Sequence, residues 1–223
     1  PQDCQWCVFV INHDELTLEM VTEEERQWMW SEYAPEQRMR LNLGIRRRLA
    51  PLLDNDLRKL ALANSLLFTL PGSPIIYYGD EIGMGDNIWL PDRNGVRTPM
   101  QWSDEKNAGF SAADPEALYA PLISNEAYHW RQVNVDAQKR DPSSLWNMIR
   151  KMISIRKTNP VFGHGELAWV NTKDTGIAAY WRFDQDDHIL VINNLTDQET
   201  RVLIPDQPFD VLDFSDMHRE SEI

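Results

Sequence analysis

Apolar and polar positions follow one another in blocks whose spacing predicts a strand, two helices, a second strand, a long irregular segment, a third helix and a run of short strands. The first block, Val8 to Ile11, is continuously apolar and ends abruptly in Asn12, His13, Asp14 and Glu15. A strand that delivers polar groups at its C-terminal end is how a barrel enzyme presents a site; the plainer alternative is a strand running into a polar turn. Thr22 and Glu25 have capping-box spacing, so a helix starts there and stops at Pro35. Asp54, Asn55 and Asp56 cap a second helix, with Leu57, Leu60, Ala61, Asn64, Leu67 and Leu70 at three- and four-residue spacing and Pro71-Gly72 as its end. The next apolar run, Ile75 to Tyr78, again closes on carboxylates, Asp80 and Glu81.

Strand, helical excursion and strand, with acidic residues after each strand, is the repeating logic of a parallel (β/α)8 barrel. Gly83 to Asn125 breaks that rhythm: it is rich in Gly, Asp, Asn and Pro, yet carries Trp89, Trp102, Phe110 and Tyr119. Disordered segments lack aromatics, so a functional loop is favoured over a disordered one. Asp141-Pro142 opens a further helix, with Leu145, Met148, Ile149, Met152 and Ile153 on one face, that stops before Pro160. Past Gly165 the period shortens to two. The segments Glu166 to Val170, Gly176 to Phe183, His188 to Asn193 and Thr200 to Ile204 read as an antiparallel β module, with a domain boundary near Asn159 to Gly165.

Composition narrows the partners. The 223 residues carry a net charge of -13, which argues against nucleic acid, because phosphate binding needs clustered Lys and Arg. The basic cluster Arg38, Arg40, Arg46, Arg47 and Arg48 is expected to pair with neighbouring carboxylates rather than bind an anion. No apolar run reaches membrane-span length and no leader pattern is visible, so a cytoplasmic protein with no membrane partner is expected. Cys4-x-x-Cys7 lacks a second ligand pair and is expected to be two unbridged thiols at the start of a buried strand. The acidic loop after Gly83 has no recognisable metal-ligand spacing, so no metal is assigned.

Asn12-His13-Asp14, Pro71-Gly72-Ser73-Pro74 leading into Tyr77-Tyr78-Gly79-Asp80-Glu81, Arg97 to Trp102 and Asn107-Ala108-Gly109-Phe110 resemble, in order and spacing, the C-terminal half of the alpha-amylase superfamily of glycoside hydrolases. Glu15 to Thr22 and Gly44 to Asp56 are most similar to its maltose-to-trehalose isomerases, although Ile11 stands where those carry arginine. The resemblance implies that residues 1–162 supply barrel strands seven and eight with their helices, and 163–223 a β-sandwich domain. It further implies that Asp14 is the transition-state-stabilising carboxylate and that His13, Asn12, Arg97 and Glu15 bind substrate. Maltose, trehalose and glucose are the implied small-molecule partners. The nucleophile and general acid of such enzymes lie on the fourth and fifth strands, so a portion preceding Pro1 is expected to hold them, and any calcium. Without that portion, exposed apolar faces are expected to drive association, and a homo-oligomer is compatible with the sequence. An alpha-glucosidase acting on short alpha-glucosides, and a non-catalytic relative serving as a binding module, are the competing expectations.

Overall fold

The computed structural model describes residues 4–204. In chain order its strands and helices are β1 (Cys7–Val8), α1 (Glu23–Tyr33), β2 (Arg40–Leu41), β3 (Gly44–Ile45), α2 (Leu49–Leu52), α3 (Leu57–Thr69), β4 (Ser73–Pro74), α4 (Val135–Arg140), α5 (Leu145–Thr158), α6 (Val161–His164), β5 (Glu166–Trp169), β6 (Ile177–Phe183) and β7 (His188–Asn194). The chain forms two compact units, one of Cys7–Asn64 and Pro74–Arg150, the other of residues 4–6, 65–73 and 151–204. Among the described residues no helix is long and apolar enough to cross a membrane.

In the larger unit, local chemistry sets the elements. The Thr22 hydroxyl accepts from the Glu25 amide at 3.3 Å and the Glu25 carboxylate accepts from the Thr22 amide at 2.8 Å, which starts α1 where the capping box predicts. The helix ends at Ala34, ahead of Pro35. Its Met29, Trp30 and Tyr33 pack on Leu18, Ala34 and Ile45, forming one core of the unit. β2 and β3 form a hairpin in register Leu41 with Gly44, and Asn42 takes the positive φ of 50° that the tight turn requires. Residues after the polar cluster lie against this hairpin: Leu16 and Ile45 exchange backbone hydrogen bonds of 2.9 Å each. Gly44 permits that approach, because a Cβ there would stand 2.4 Å from the Leu16 carbonyl oxygen.

Of the predicted strand Val8 to Ile11 only Val8 takes strand geometry, and the predicted strand Ile75 to Tyr78 does not form. Strand geometry is confined to Cys7–Val8 and Ser73–Pro74, and the ladder extends as far as one bond of 2.8 Å from the Ile75 amide to the Val8 carbonyl. Beyond it, Tyr77 and Tyr78 are anchored through their hydroxyls, as described below. The segment from Gly83 to Asn125 is irregular, as expected, with short 3-10 turns such as Asn94–Val96 and Lys106–Gly109. It is nonetheless packed: Ile82, Met84, Met100 and Ile123 join Val135 in another core of the unit. Trp102 is half exposed and so is not a core residue under the loop. α5 begins at Leu145, later than Asp141-Pro142 suggests, because the Ser144 hydroxyl accepts from the Asn147 amide at 3.2 Å and acts as the cap.

In the smaller unit, β5, β6 and β7 form an antiparallel sheet in that order, with Trp169 opposite Tyr180 and Ile177 opposite Asn194. Tyr180, Ile189 and Val191 pack on Val161 and Phe162. The expected fourth strand, Thr200 to Ile204, is not formed; it alternates half-buried and exposed positions but pairs with no strand among the described residues, and the rest of the expected sandwich lies outside them. Arg182, fully buried on the central strand, donates to the carbonyls of Val161 at 3.1 Å, Gly165 at 2.9 Å and Glu166 at 3.3 Å, and to that of Thr69. Truncating it strands several buried acceptors at once. R182A is therefore expected to lower unfolding stability by about 3 kcal/mol, read from the denaturant midpoint, with R182K recovering part of the loss.

Candidate active site

The candidate site forms in the larger unit around the turn that follows Ile11. The Asn12 side-chain oxygen accepts from the Asp14 amide at 2.8 Å, and an Asp14 carboxylate oxygen accepts from the Glu15 amide at 3.1 Å. These Asx-type bonds present both carboxylates on one side of the turn. Glu15 is steadied by the Asn42 amide at 2.6 Å, while Asp14 keeps 41% of its side chain exposed. His13 is exposed beside them and gives its carbonyl to the Arg97 Nε at 2.8 Å. The predicted residues Asn12, His13, Asp14, Glu15 and Arg97 thus collect in one patch.

One member of the patch is missing from the sequence-based reading. Arg93 donates from Nε to Asp14, from Nη2 to Glu15 at 2.9 Å and from Nη1 to Asp92 at 2.8 Å. A guanidinium forked over three carboxylates is a strong charge-assisted arrangement. Hydrogen bonding with Glu15 and with Arg93 holds the Asp14 carboxyl well below the ordinary carboxylate range, so it is ionised at every pH of practical use. Its hydrogen bonds to Asp14 and to Asp92 push Arg93 further up. Its signal in the sequence is faint: Asp92-Arg93-Asn94-Gly95 reads as a turn, and only the following Asn94–Val96 turn places Arg93 and Arg97 on the same segment.

Arg97 is positioned through its backbone. The Tyr77 hydroxyl donates to the Val96 carbonyl at 3.0 Å, Tyr119 to the Arg97 carbonyl at 2.8 Å and Tyr78 to the Thr98 carbonyl at 2.7 Å. Burial pushes the Tyr77 phenol up, and that of Tyr119 up to about 12, so both stay protonated donors. Behind the tyrosines the Arg48 guanidinium is fully buried, 4.8 Å from the Tyr77 ring centre and 4.7 Å from that of Tyr78, and donates to the Tyr78 carbonyl at 2.7 Å.

The other arginines of the basic cluster divide their tasks. Arg47 Nε pairs with Asp86 at 2.8 Å, and the same carboxylate oxygen accepts from the Arg48 amide at 2.8 Å. Arg46 donates to the carbonyls of Ile88 at 2.9 Å, Leu90 at 2.7 Å and Asp92. Arg40 reaches the Ala34 carbonyl at 2.8 Å and Arg38 stacks on Trp89. Pairing with carboxylates, the expectation for this run, therefore describes Arg47 and Arg48 but not Arg46, Arg40 or Arg38, which find carbonyls and rings instead. Among the described residues no group of three or more His, Cys, Asp or Glu is arranged to hold a metal ion. Cys4 and Cys7 carry free thiols, as expected, but both are exposed and β1 is not the buried strand expected there.

Chemically, the patch brings an ionised carboxylate, an imidazole and an amide of the turn together with two guanidiniums, a donor and acceptor set suited to sugar hydroxyls and to developing positive charge. Comparison with known proteins agrees with that chemistry. Residues 17–165 match the alpha amylase catalytic domain, so the chain belongs to the alpha-amylase family. It is 54% identical over 200 residues to a trehalose synthase of Pimelobacter sp. (strain R48), which covers 88% of this chain and 35% of that one. It is 51% identical over 199 residues to a trehalose synthase/amylase of Mycobacterium tuberculosis, covering 88% and 33%. A crystal structure of an alpha-amylase from H. orenii superposes with a TM-score of 0.58 at 25% identity, over 85% of this chain and 30% of that one. The chain spans about a third of the length of these relatives.

Asp80, next to the buried Arg48, supplies a pH dependence. Its nearest Arg48 contact is 3.7 Å, and burial outweighs that attraction, pushing the carboxyl up to about 7. Below pH ~4 folded and unfolded chains both hold the proton; between ~4 and ~7 only the folded chain does, so stability is lost as pH rises and levels off above ~7. The decline is expected to be a few kcal/mol on the order of 1.4 per pH unit, and D80N should flatten it in unfolding curves measured from pH 4 to 8.

Proposed function

We propose that this chain is part of a trehalose synthase that interconverts maltose and trehalose by glucosyl transfer within a closed pocket. What carries the reading is the 54% identity to a trehalose synthase, taken with the gathering of Asn12, His13, Asp14, Glu15 and Arg97 into one patch. In this proposal residues 1–162 supply strands seven and eight of a (β/α)8 barrel with their helices, and 163–223 begin a β-sandwich domain. The nucleophile and general acid belong to the portion of barrel that precedes residue 1, in a cytoplasmic enzyme.

Maltose would place its non-reducing glucose against the patch. Retaining glycosidases pass through an oxocarbenium-like transition state, forming and then breaking a glycosyl-enzyme bond. In this proposal Asp14 is the supporting carboxylate and not the nucleophile, which belongs to the preceding part of the barrel. It instead accepts ring hydroxyls, and those bonds tighten as positive charge develops on the ring. For that to happen Arg93 must share or release Asp14, which makes substrate binding an exchange of one set of charge-assisted bonds for another. His13, Asn12 and Glu15 hold the same sugar, and Arg97 narrows the pocket to short substrates. The released glucose turns and re-attacks through its anomeric hydroxyl, so the ratio of isomerisation to hydrolysis depends on excluding water. The lid role is assigned to the loop from Gly83 to Asn125 on its length and its aromatic content.

Full-length protein incubated with maltose is expected to accumulate trehalose, with free glucose as the lesser product. D14N should lower kcat by roughly 100- to 1,000-fold with a smaller change in KM. Glucose as the sole product would instead favour an alpha-glucosidase, and wild-type turnover in D14N would remove Asp14 from the mechanism. Shortening the loop between Phe110 and Tyr119 should shift the product ratio toward glucose; an unchanged ratio would show that the lid lies elsewhere.

A further inference from the structure

The larger unit also contains a cavity of about 350 Å³ between the two ends of the Gly83 to Asn125 loop. Its walls are Asp86 to Trp89 and Ile123 to Asn125, completed by Arg47, and none of Asp14, Glu15, Arg93 and Arg97 lines it. The size lies at the small end of the range for small-molecule pockets.

The lining determines what fits. Its cation and its carboxylate, Arg47 and Asp86, are paired at 2.8 Å, with the Asp86 side chain 4% exposed, so the pocket has no uncommitted charge for a phosphate or an amine. Trp89, 70% exposed, supplies an aromatic plane, and the Arg38 guanidinium lies 4.2 Å from its ring centre and steadies it. Two amides are fixed in orientation: Asn87 accepts from the Trp89 amide at 3.1 Å and Asn125 from the Tyr128 amide at 3.1 Å. Ser124 adds a hydroxyl. An aromatic plane for C–H faces, with fixed amides and a hydroxyl for O–H groups, is the recognition chemistry of a neutral sugar ring.

The walls are held before any ligand arrives. Arg46 grips the carbonyls of Ile88 and Leu90, and Gly95 lets the Asn87 carbonyl approach to where a Cβ would stand at 2.3 Å. A preformed wall lowers the ordering cost of binding. We propose that this cavity is a second saccharide site, taking glucose or a short glucoside apart from the Asp14 patch. The proposal stands on the cavity's own lining and is independent of which reaction the Asp14 patch supports.

The test is titration calorimetry of full-length protein with glucose and with maltose, in the wild type and in D14N, W89A, W89F and S124Y. Two classes of site are expected in the wild type. W89A should weaken one class roughly 3- to 10-fold, the loss of a stacking plane, with W89F restoring most of it. S124Y, which fills the mouth from an exposed position, should weaken the same class. That class should persist in D14N, whereas the other should not. An unchanged thermal midpoint for W89A and S124Y excludes misfolding as the cause. A single class of site, or a Trp89 effect that vanishes in D14N, overturns the second site; loss of maltose turnover with both classes intact would instead count against the proposed reaction alone.

Discussion

Burying a guanidinium whose facing carboxylate, Asp80, stands 3.7 Å off is the constraint on which the larger unit depends. Arg48 has no exposed surface, and what it touches is mainly π-face and carbonyl: the rings of Tyr77 and Tyr78 and the Tyr78 backbone. Fixing those rings fixes where their hydroxyls end, on the carbonyls to either side of Arg97. The cost of desolvating one charge thereby sets the place of another side chain about fifty residues further along. Asp86 secures the near end of this relay, since one oxygen takes both the Arg47 side chain and the Arg48 amide.

The three consecutive arginines show how one residue type serves three physical purposes. Arg46 satisfies carbonyls of a loop that has no ladder of its own, Arg47 neutralises a buried carboxylate, and Arg48 wedges between aromatic rings. Each exploits a different property of the guanidinium: its several donors, its permanent charge and its flat face. Lysine has a charge and three donors at a single point, but neither the spread fork nor the flat face.

Features governed by neighbours in sequence are the ones the sequence reveals. The capping box at Thr22 and Glu25 and the stop before Pro160 are local, and so they stand where expected. The alternation from Glu166 to Asn194 likewise yields its strands, because each pairs with the next. The resemblance places Asn12 to Glu15 and Arg97 together although 84 residues separate Arg97 from His13. Arg93 escapes notice because its importance lies wholly in what faces it across 79 residues, and nothing in its own neighbourhood distinguishes it from a turn arginine. Val8 to Ile11 and Ile75 to Tyr78 have strand composition, but composition cannot provide a ladder partner, and side-chain anchors hold the second segment instead. At Ser144, a competing cap three residues past Asp141 decides the start of α5, a choice between two acceptable signals.

Arg46 holds residues 88 to 92 by their carbonyls and asks nothing of their side chains. Every amino acid offers the same acceptor, so that segment's shape is separated from its identity. Trp89 and Leu90 are in effect panels on a fixed frame: the surface there could be redrawn by substitution while the frame that aims Arg93 at Asp14 stays where it is, whereas Asp92, paired with Arg93 at 2.8 Å and at a φ of 49°, belongs to the frame itself.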